Sequence, residues 1–179
     1  MKIMKRNMFI AKGWPLMAGA AMALFFLSSC LKSGPYNYDF AGVGASVDLP
    51  LAAANGNGVV PFTFGAGSNT FPVYADLASP SPLSKSTTVT LMVDSAYLNS
   101  YNANNGTGYS LLPDSDYTIN TLNLTIPAGQ RLDSALVTFN IAKVDTSSAI
   151  SYVLPISISS ASEPVEQWSH LLIGVTVVQ

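Results

Sequence analysis

Alternation of apolar and polar residues with a period of two is the feature that most restricts the fold of this chain. Between Thr87 and Asp94, the apolar residues Val89, Leu91 and Val93 occupy every second position and therefore share one face of an extended strand. The same alternation recurs at 43–49, 59–64, 71–77, 117–126, 135–141, 152–158 and 173–177. Strands with one apolar face must cover it with another layer, so the sequence predicts an all-β fold, an antiparallel β-sandwich, with a barrel as the alternative.

Two local signals depart from the strand pattern. Asp94 or Ser95 can cap a short helix over 96–101, which the Asn-Asn-Gly sequence at 104–106 would end. A helix this short needs tertiary packing, so we expect one short helical crossover that lies on the end of the sandwich. Pro155 lacks a backbone N–H and predicts either an edge position or a gap in the strand ladder.

A secretory signal peptide is predicted over residues 1–29. Four basic residues lie before position 13, and an uncharged run of 14 residues follows from Trp14 to Leu27. A permanent membrane-spanning helix needs about 20 apolar residues, so this run is typical of a cleaved segment.

The residues that end this segment, Leu27, Ser28, Ser29 and Cys30, resemble a bacterial lipobox. In that motif cleavage precedes the cysteine, and its sulfur and new amino group receive lipid. The resemblance implies a lipidated Cys30, a tether over 30–40 and a β-sandwich domain over 41–179. Several acyl chains on one residue hold a protein firmly to its membrane, whereas one chain alone is marginal.

Composition after Cys30 limits the partners and the metal chemistry of the chain. Four basic residues against ten acidic ones give a net charge of −6, and scattered Lys and Arg cannot form a phosphate-binding surface. Nucleic acid is therefore not predicted as a partner. Cys30 is the sole cysteine, so its lipidation leaves no thiol for a disulfide or a thiolate metal site, and no cofactor is predicted.

Several short motifs follow one another in the second part of the chain. They are Thr88–Asp94, Tyr101-Asn102, Leu112-Pro113, Asp116-Tyr117, Leu124–Gly129 and Tyr152–Ile156. Together they resemble an N-terminal domain of unknown function in lipoproteins of glycan-foraging bacteria, found ahead of endo-β-N-acetylglucosaminidase-type hydrolases. The resemblance implies an immunoglobulin-like sandwich and offers no agreed catalytic or binding residues. Leu31–Gly34 lacks the acidic residues that direct some of these lipoproteins to the cell surface. The sequence therefore does not decide between the periplasmic and the cell-surface face of the outer membrane.

The segment from Asp116 to Gly129 is also similar to Calx-β domains, which bind calcium through clustered carboxylates. The similarity makes Asp94, Asp114 and Asp116 candidate ligands. The asparagines at 102, 104 and 105 are neutral and match no calcium loop. Turn residues that cap their own backbone are the simpler interpretation, so no metal site is predicted.

Catalysis is not predicted, because the chain lacks the sets of side chains that known mechanisms bring together. His170 is the sole histidine, and the adjacent Ser169 would point to the opposite face of a strand. Glu163 and Glu166 are the sole glutamates, and nothing in so small a sandwich indicates a sugar cleft between two carboxylates.

Four aromatic residues are the candidates for ligand binding. Trp168 lies in the loop before the last strand, and Tyr97, Tyr101 and Tyr109 lie along the Asn-rich insertion. Exposed rings pack against the apolar faces of sugars, and nearby amides pair with sugar hydroxyls. The structural alternative is that Trp168 plugs the end of the core while the tyrosines cover the helical turn.

Asp-Ser-Ala occurs twice, at Ser95 and at Ser134, and resembles the acceptor for O-glycosylation in the same bacterial group. Together with the lipobox, these patterns predict a non-catalytic outer-membrane lipoprotein, held by lipid on Cys30, that binds glycan or mediates adhesion. The alternative is a structural or accessory subunit of a surface complex or fimbria-like assembly. Such a subunit would pair an exposed strand edge with a partner protein.

Overall fold

The computed structural model describes residues 42–64, 69–140 and 151–177. The chain divides into two compact units, 1–39 and 40–179, and the described residues all belong to the second. The predicted signal peptide, the lipobox at 27–30 and the tether lie outside the described residues. Within the described ranges, no helix combines the length and the apolar character that crossing a membrane requires.

Strands dominate the described part of the chain, and two short α-helices interrupt them. The strands are β1 (Ser46–Asp48), β2 (Val59–Phe64), β3 (Thr70–Ala78), β4 (Thr87–Val93), β5 (Ser110–Leu111), β6 (Tyr117–Ile119), β7 (Asn123–Ile126), β8 (Leu132–Phe139), β9 (Tyr152–Ala161) and β10 (His170–Val177). The helices are α1 (Pro50–Ala54) and α2 (Ser95–Asn105), and a 3₁₀ turn covers Asp114–Asp116.

The strands form two sheets that pack face to face. One sheet has the order β1-β3-β8-β6, and the other has the order β2-β10-β9-β4-β7 with β5 paired to β9. Alternate residues of each sheet enter a shared core, for example Val89 and Leu91 of β4 and Val137 and Phe139 of β8. The predicted all-β sandwich is confirmed, and the two separate sheets exclude the barrel alternative.

Three details of the sandwich differ from the sequence prediction. Two strand pairs, β2 with β10 and β5 with β9, are parallel, because residue alternation defines a buried face but not a strand direction. A second helix, α1, begins at Pro50, whose fixed φ suits a first helical turn. The predicted strand over 117–126 is two strands, since the chain crosses from one sheet to the other between β6 and β7.

Pro155 lies in β9, which pairs with neighbours on both sides, so the expected edge position is wrong. The expected gap is present. On one side of β9, β4 ends at the pair Val93 and Ile156, and β5 is paired only as far as Leu111 and Val153. The N–H of Asp94 donates to the carbonyl of Pro155, so the proline nitrogen faces the same interval between β4 and β5. No ladder hydrogen bond is lost there.

The outer face of the larger sheet is covered by α2. Leu98 of this helix packs against Val153 of β9 and Leu172 of β10, and all three are buried. Their neighbours Leu154, Leu171 and Ile173 point into the main core, as alternation along a strand requires. The prediction that the helix lies on the end of the sandwich is therefore wrong, because apolar residues on the outer face need a cover.

Candidate functional site

Helix α2 is defined at both ends by local hydrogen bonds. Asp94 is the N-cap, and its Oδ1 accepts a 2.9 Å hydrogen bond from the backbone N–H of Tyr97. Gly106 follows the last residue with φ of 64°, a left-handed conformation that glycine adopts without strain. The predicted cap and the predicted Asn-Asn-Gly end are confirmed, and Tyr97 and Tyr101 therefore sit at fixed positions along the helix.

The three candidate tyrosines and His170 form a series of neighbouring rings, which we call the aromatic row. The rings of Tyr97 and Tyr101 have centroids 6.5 Å apart, and those of Tyr101 and Tyr109 are 6.3 Å apart. His170 stacks on Tyr97 with a centroid distance of 4.0 Å and an interplanar angle of 9°. All three tyrosines are half-buried and pack against the cluster around Leu98.

Asn102 fixes the end of the aromatic row, a role that its sequence position did not reveal. Its Nδ2 donates to the carbonyl of Tyr109 at 2.8 Å, and its Oδ1 accepts from the Thr107 hydroxyl at 2.8 Å and the Tyr109 N–H at 3.1 Å. These bonds hold the loop after α2 against the helix. The three hydrogen bonds join residues five and seven positions apart, so no short sequence motif predicts them.

An open pocket of about 250 Å³ lies beside the aromatic row, and we call it the tyrosine–asparagine pocket. It is lined by Gly56, Asn57, Gly58, Tyr97, Ser100, Tyr101, Asn104 and Asn105. Burial, followed by the nearby Tyr101 and Asp94, raises the pKa of Tyr97 above its usual value of 10. The hydroxyl of Tyr97 therefore stays protonated at neutral pH. Two rings and several amides converge here, which is the composition of a site for a polar ligand with apolar faces.

His170 also contacts two polar side chains that the sequence does not place near it. Its Nδ1 is 2.7 Å from the Oγ of Ser157 and 3.9 Å from Oδ2 of Asp94. A catalytic triad needs the serine on one ring nitrogen and the carboxylate on the other, whereas both groups here face the same nitrogen. Ser157 is also only 1% exposed. The cluster therefore orients the imidazole against Tyr97. It lacks the arrangement of a catalytic triad, because the carboxylate is not on the second ring nitrogen and the serine is buried.

Protonation of His170 is expected to destabilise the fold. Burial lowers the pKa of His170 below its usual value of 6.5, and the charge of Asp94 opposes this effect only in part. The unfolded chain therefore binds a proton at a higher pH than the folded chain does, so stability is lost as the pH falls through 6.5. As the pH falls below about 6.5, we expect the Tm of the wild type to fall more than that of His170→Phe, which retains an aromatic ring but cannot titrate. Equal slopes for the two proteins in this pH range would contradict the assignment.

Trp168 is not part of the aromatic row. It is half-buried and packs against the main core, and its carbonyl accepts a 2.8 Å hydrogen bond from the N–H of Leu49. The tyrosines pack on the opposite face of the larger sheet. Trp168 and the three tyrosines, which the sequence analysis grouped as candidates for ligand binding, therefore lie on opposite faces of the larger sheet.

The acidic candidates each have a local partner. Asp114 accepts a 2.9 Å hydrogen bond from the Tyr117 hydroxyl, and burial together with this bond raises the pKa of Tyr117 to about 12. Asp116 is buried and accepts from Ser115 at 2.6 Å, while Asp94 caps α2. Among the described residues, no group of three or more His, Cys, Asp or Glu side chains is arranged to hold a metal ion.

The remaining candidates lie apart from the pocket. Glu163 forms an ion pair with Lys85 at 2.7 Å. Burial, followed by the charges of Asp76 and Glu166, raises the pKa of Asp48. Ser95 is the exposed first residue of α2, whereas Ser134 is half-buried within β8. Of the two predicted acceptors for O-glycosylation, Ser95 is thus the more accessible.

A family model described as "-like, N-terminal domain" matches residues 45–165, which is more than half of the chain. The chain belongs to this family. The match includes β1 to β9 and the whole tyrosine–asparagine pocket. The predicted resemblance to an N-terminal domain found ahead of endo-β-N-acetylglucosaminidase-type hydrolases is confirmed.

Three solved Bacteroides structures share the fold, each at 19% identity. A Bacteroides ovatus multidomain protein including DUF1735 has a TM-score of 0.59, with 75% of this chain and 45% of that protein covered. A candidate carbohydrate binding protein from Bacteroides ovatus has a TM-score of 0.54, with 73% and 36% covered. EndoBT-3987 from Bacteroides thetaiotamicron, solved with Man5GlcNAc product, has a TM-score of 0.52, with 73% and 30% covered. The chain spans less than half of each protein, and no curated protein sequence matches it.

Proposed function

We propose that this sandwich is a non-catalytic module that binds glycan through the tyrosine–asparagine pocket. The observation that carries the proposal is the joint lining of this pocket by the rings of Tyr97 and Tyr101 and by several amide side chains. A pyranose presents apolar faces that pack on such rings and hydroxyls that pair with amides. Stacking on His170 holds Tyr97 in place before a ligand arrives, which reduces the entropy lost on binding.

The comparisons support a role in glycan handling. One relative is a candidate carbohydrate binding protein, and another is an endoglycosidase solved with a Man5GlcNAc product. In the endoglycosidase the matched region is 30% of the protein. The buried Ser157 and the unsuitable geometry around His170 support a non-catalytic module.

The alternative function, strand pairing with a partner protein, needs an open sheet edge. In the smaller sheet, β1 is covered because the N–H of Val47 donates to Pro164 and its carbonyl accepts from Glu166. At the opposite edge of that sheet, β6 has only three residues. Covered and very short edges are devices that natural sheets use against edge pairing.

The larger sheet has similar protection at both ends of its strand order. At the outer edge of β7, the N–H of Thr125 donates to Oδ2 of Asp133 at 2.8 Å. At the other edge, Pro61 interrupts the row of N–H groups along β2. These features weigh against the strand-pairing alternative and leave the pocket as the better-supported surface.

A glycan array tests the proposal, with Man5GlcNAc and plant and host oligosaccharides as probes. We expect the full-length protein to bind at least one glycan and Tyr101→Ala to weaken that binding about tenfold, since one ring contact is removed. Tyr74→Ala is the matched control, because Tyr74 is 40% exposed on the other sheet. Equal binding by the two variants, or no binding by the wild type, would contradict the proposal.

We also propose that lipid on Cys30 holds this module at the outer membrane. The basic start, the uncharged run and the lipobox sequence support the proposal. Cells fed a labelled fatty acid should incorporate the label into the wild type and not into Cys30→Ser. Label in both proteins, or in neither, would count against the anchor.

A further inference from the structure

We infer that the tyrosine–asparagine pocket accepts a single uncharged sugar unit and discriminates against acidic sugars such as uronic and sialic acids. The inference rests on the proposed function, since it concerns the same pocket. Four observations carry it: the absence of charge among the described lining residues, the position of the pocket along α2, the placement of the basic side chains, and the volume of the pocket.

Among the residues that the structure describes, none that lines the pocket is charged. The eight lining residues are glycine, asparagine, serine and tyrosine, and burial raises the pKa of Tyr97, so that its hydroxyl remains neutral. A carboxylate moved from water into such a site would lose hydration without gaining a charged partner, which is costly. A neutral hydroxyl faces a much smaller penalty, because amides and hydroxyls can replace its hydrogen bonds with water.

The pocket also reaches the negative end of a helix. Asn104 and Asn105 belong to the last turn of α2, where the backbone carbonyls carry partial negative charge. No basic residue occupies the last turn of this helix to offset that charge. At the other end of the aromatic row, the carboxylate of Asp94 adds further negative potential near Tyr97.

The basic side chains of the described residues are engaged elsewhere. Lys85 pairs with Glu163 at 2.7 Å, and Arg131 extends toward the carbonyl of Leu77 at 3.4 Å. His170 stays uncharged at neutral pH because burial lowers its pKa. Recognition of an acidic sugar normally uses Arg or Lys, and within 42–64, 69–140 and 151–177 neither residue lines the pocket.

The size of the pocket limits the ligand to one sugar unit. Its volume of about 250 Å³ is just below the range of roughly 300–1,000 Å³ that is usual for drug-sized ligands. A single pyranose, with about a dozen non-hydrogen atoms, matches this volume better than an oligosaccharide does. The open side lets the rest of a glycan chain continue into solvent.

Paired probes test the inference on the full-length protein. Each neutral monosaccharide that occurs in the oligosaccharides bound on the array is titrated beside its own uronic acid, and sialic acid is titrated as a further acidic probe. We expect the neutral form to bind at least about tenfold more tightly. We also expect its Kd to change less than twofold between about 0.05 and 0.5 M NaCl, because screening acts only on charges.

The outcomes separate the inference from the proposed function. Preference for neutral sugars that Tyr101→Ala abolishes and Tyr74→Ala preserves would support both. Equal or tighter binding of acidic sugars, lost in Tyr101→Ala, would overturn the inference and leave the glycan-binding proposal intact. Absence of any glycan binding that depends on Tyr101 would overturn both.

Discussion

Leu98→Ala is expected to lower the free energy of unfolding by about 2–5 kcal/mol, the usual cost of truncating a buried leucine. Leu98 is 2% exposed and joins α2 to Val153 and Leu172 of the larger sheet. A helix of 11 residues has little stability of its own, so the loss of this contact should also loosen the tyrosines that depend on it. Urea denaturation measures the change as a lower midpoint with an unchanged slope.

Leu98→Met is the matched control, because it conserves volume and should cost less than about 1.5 kcal/mol. Glycan binding should be weakened in Leu98→Ala and kept in Leu98→Met. If Leu98→Ala cost less than about 1 kcal/mol, the helix would not depend on this contact, and the packing described for the outer face would be wrong.

Gly174→Ala is expected to destabilise the fold by about 1–3 kcal/mol, although alanine normally suits a strand interior better than glycine. A Cβ at Gly174 would lie 2.6 Å from Cγ1 of Val59 on the neighbouring strand β2. Val59 is β-branched and has little freedom to rotate away. Thermal or urea denaturation of the single variant gives the cost.

Val59→Ala provides the rescue that identifies the cause. It removes the clashing methyl groups, so the double variant should be more stable than the sum of the two single changes predicts, by about 0.5–3 kcal/mol. A stabilising Gly174→Ala, or strict additivity in the double variant, would show that β2 and β10 are not as close as described.

Much of the sandwich could be predicted from residue alternation, because the apolar positions within each strand show which face is buried. Val89 and Leu91 of β4 are buried as expected, and so are Val137 and Phe139 of β8. The pairing and direction of the strands were harder to predict from the sequence. Nothing in the sequence of β2 indicates that it runs parallel to β10, since strand partners are chosen by the whole chain.

The position of α2 could not be predicted from the helix itself, because Tyr97, Leu98 and Tyr101 define an apolar side but do not indicate which surface it covers. The sequences of β9 and β10 contain the signal that indicates this surface. Val153 follows Tyr152 and precedes Leu154, and Leu171 to Ile173 is also an uninterrupted apolar run. Strands that are apolar at successive positions are buried on both faces, so these runs mark where a helix must lie.

The candidate site was predicted in part. Tyr97, Tyr101 and Tyr109 do come together, because they lie within one insertion of the chain. The contact of His170 with Ser157 depends on the register between β9 and β10, and its contact with Tyr97 joins a strand to a helix far away in sequence. Such contacts arise from topology, and residue types alone do not encode them.

An NMR titration of the ¹⁵N-labelled full-length protein with a neutral glycan selected on the array tests the central claim most directly. The chain has two tryptophans, Trp14 and Trp168, and comparison with Trp168→Phe assigns the Trp168 indole N–H signal. This signal reports on the main core, away from the aromatic row. We predict that backbone signals of 97–105 and 56–58 shift while the Trp168 indole signal does not. Shifts centred on Trp168, with α2 unaffected, would contradict the account.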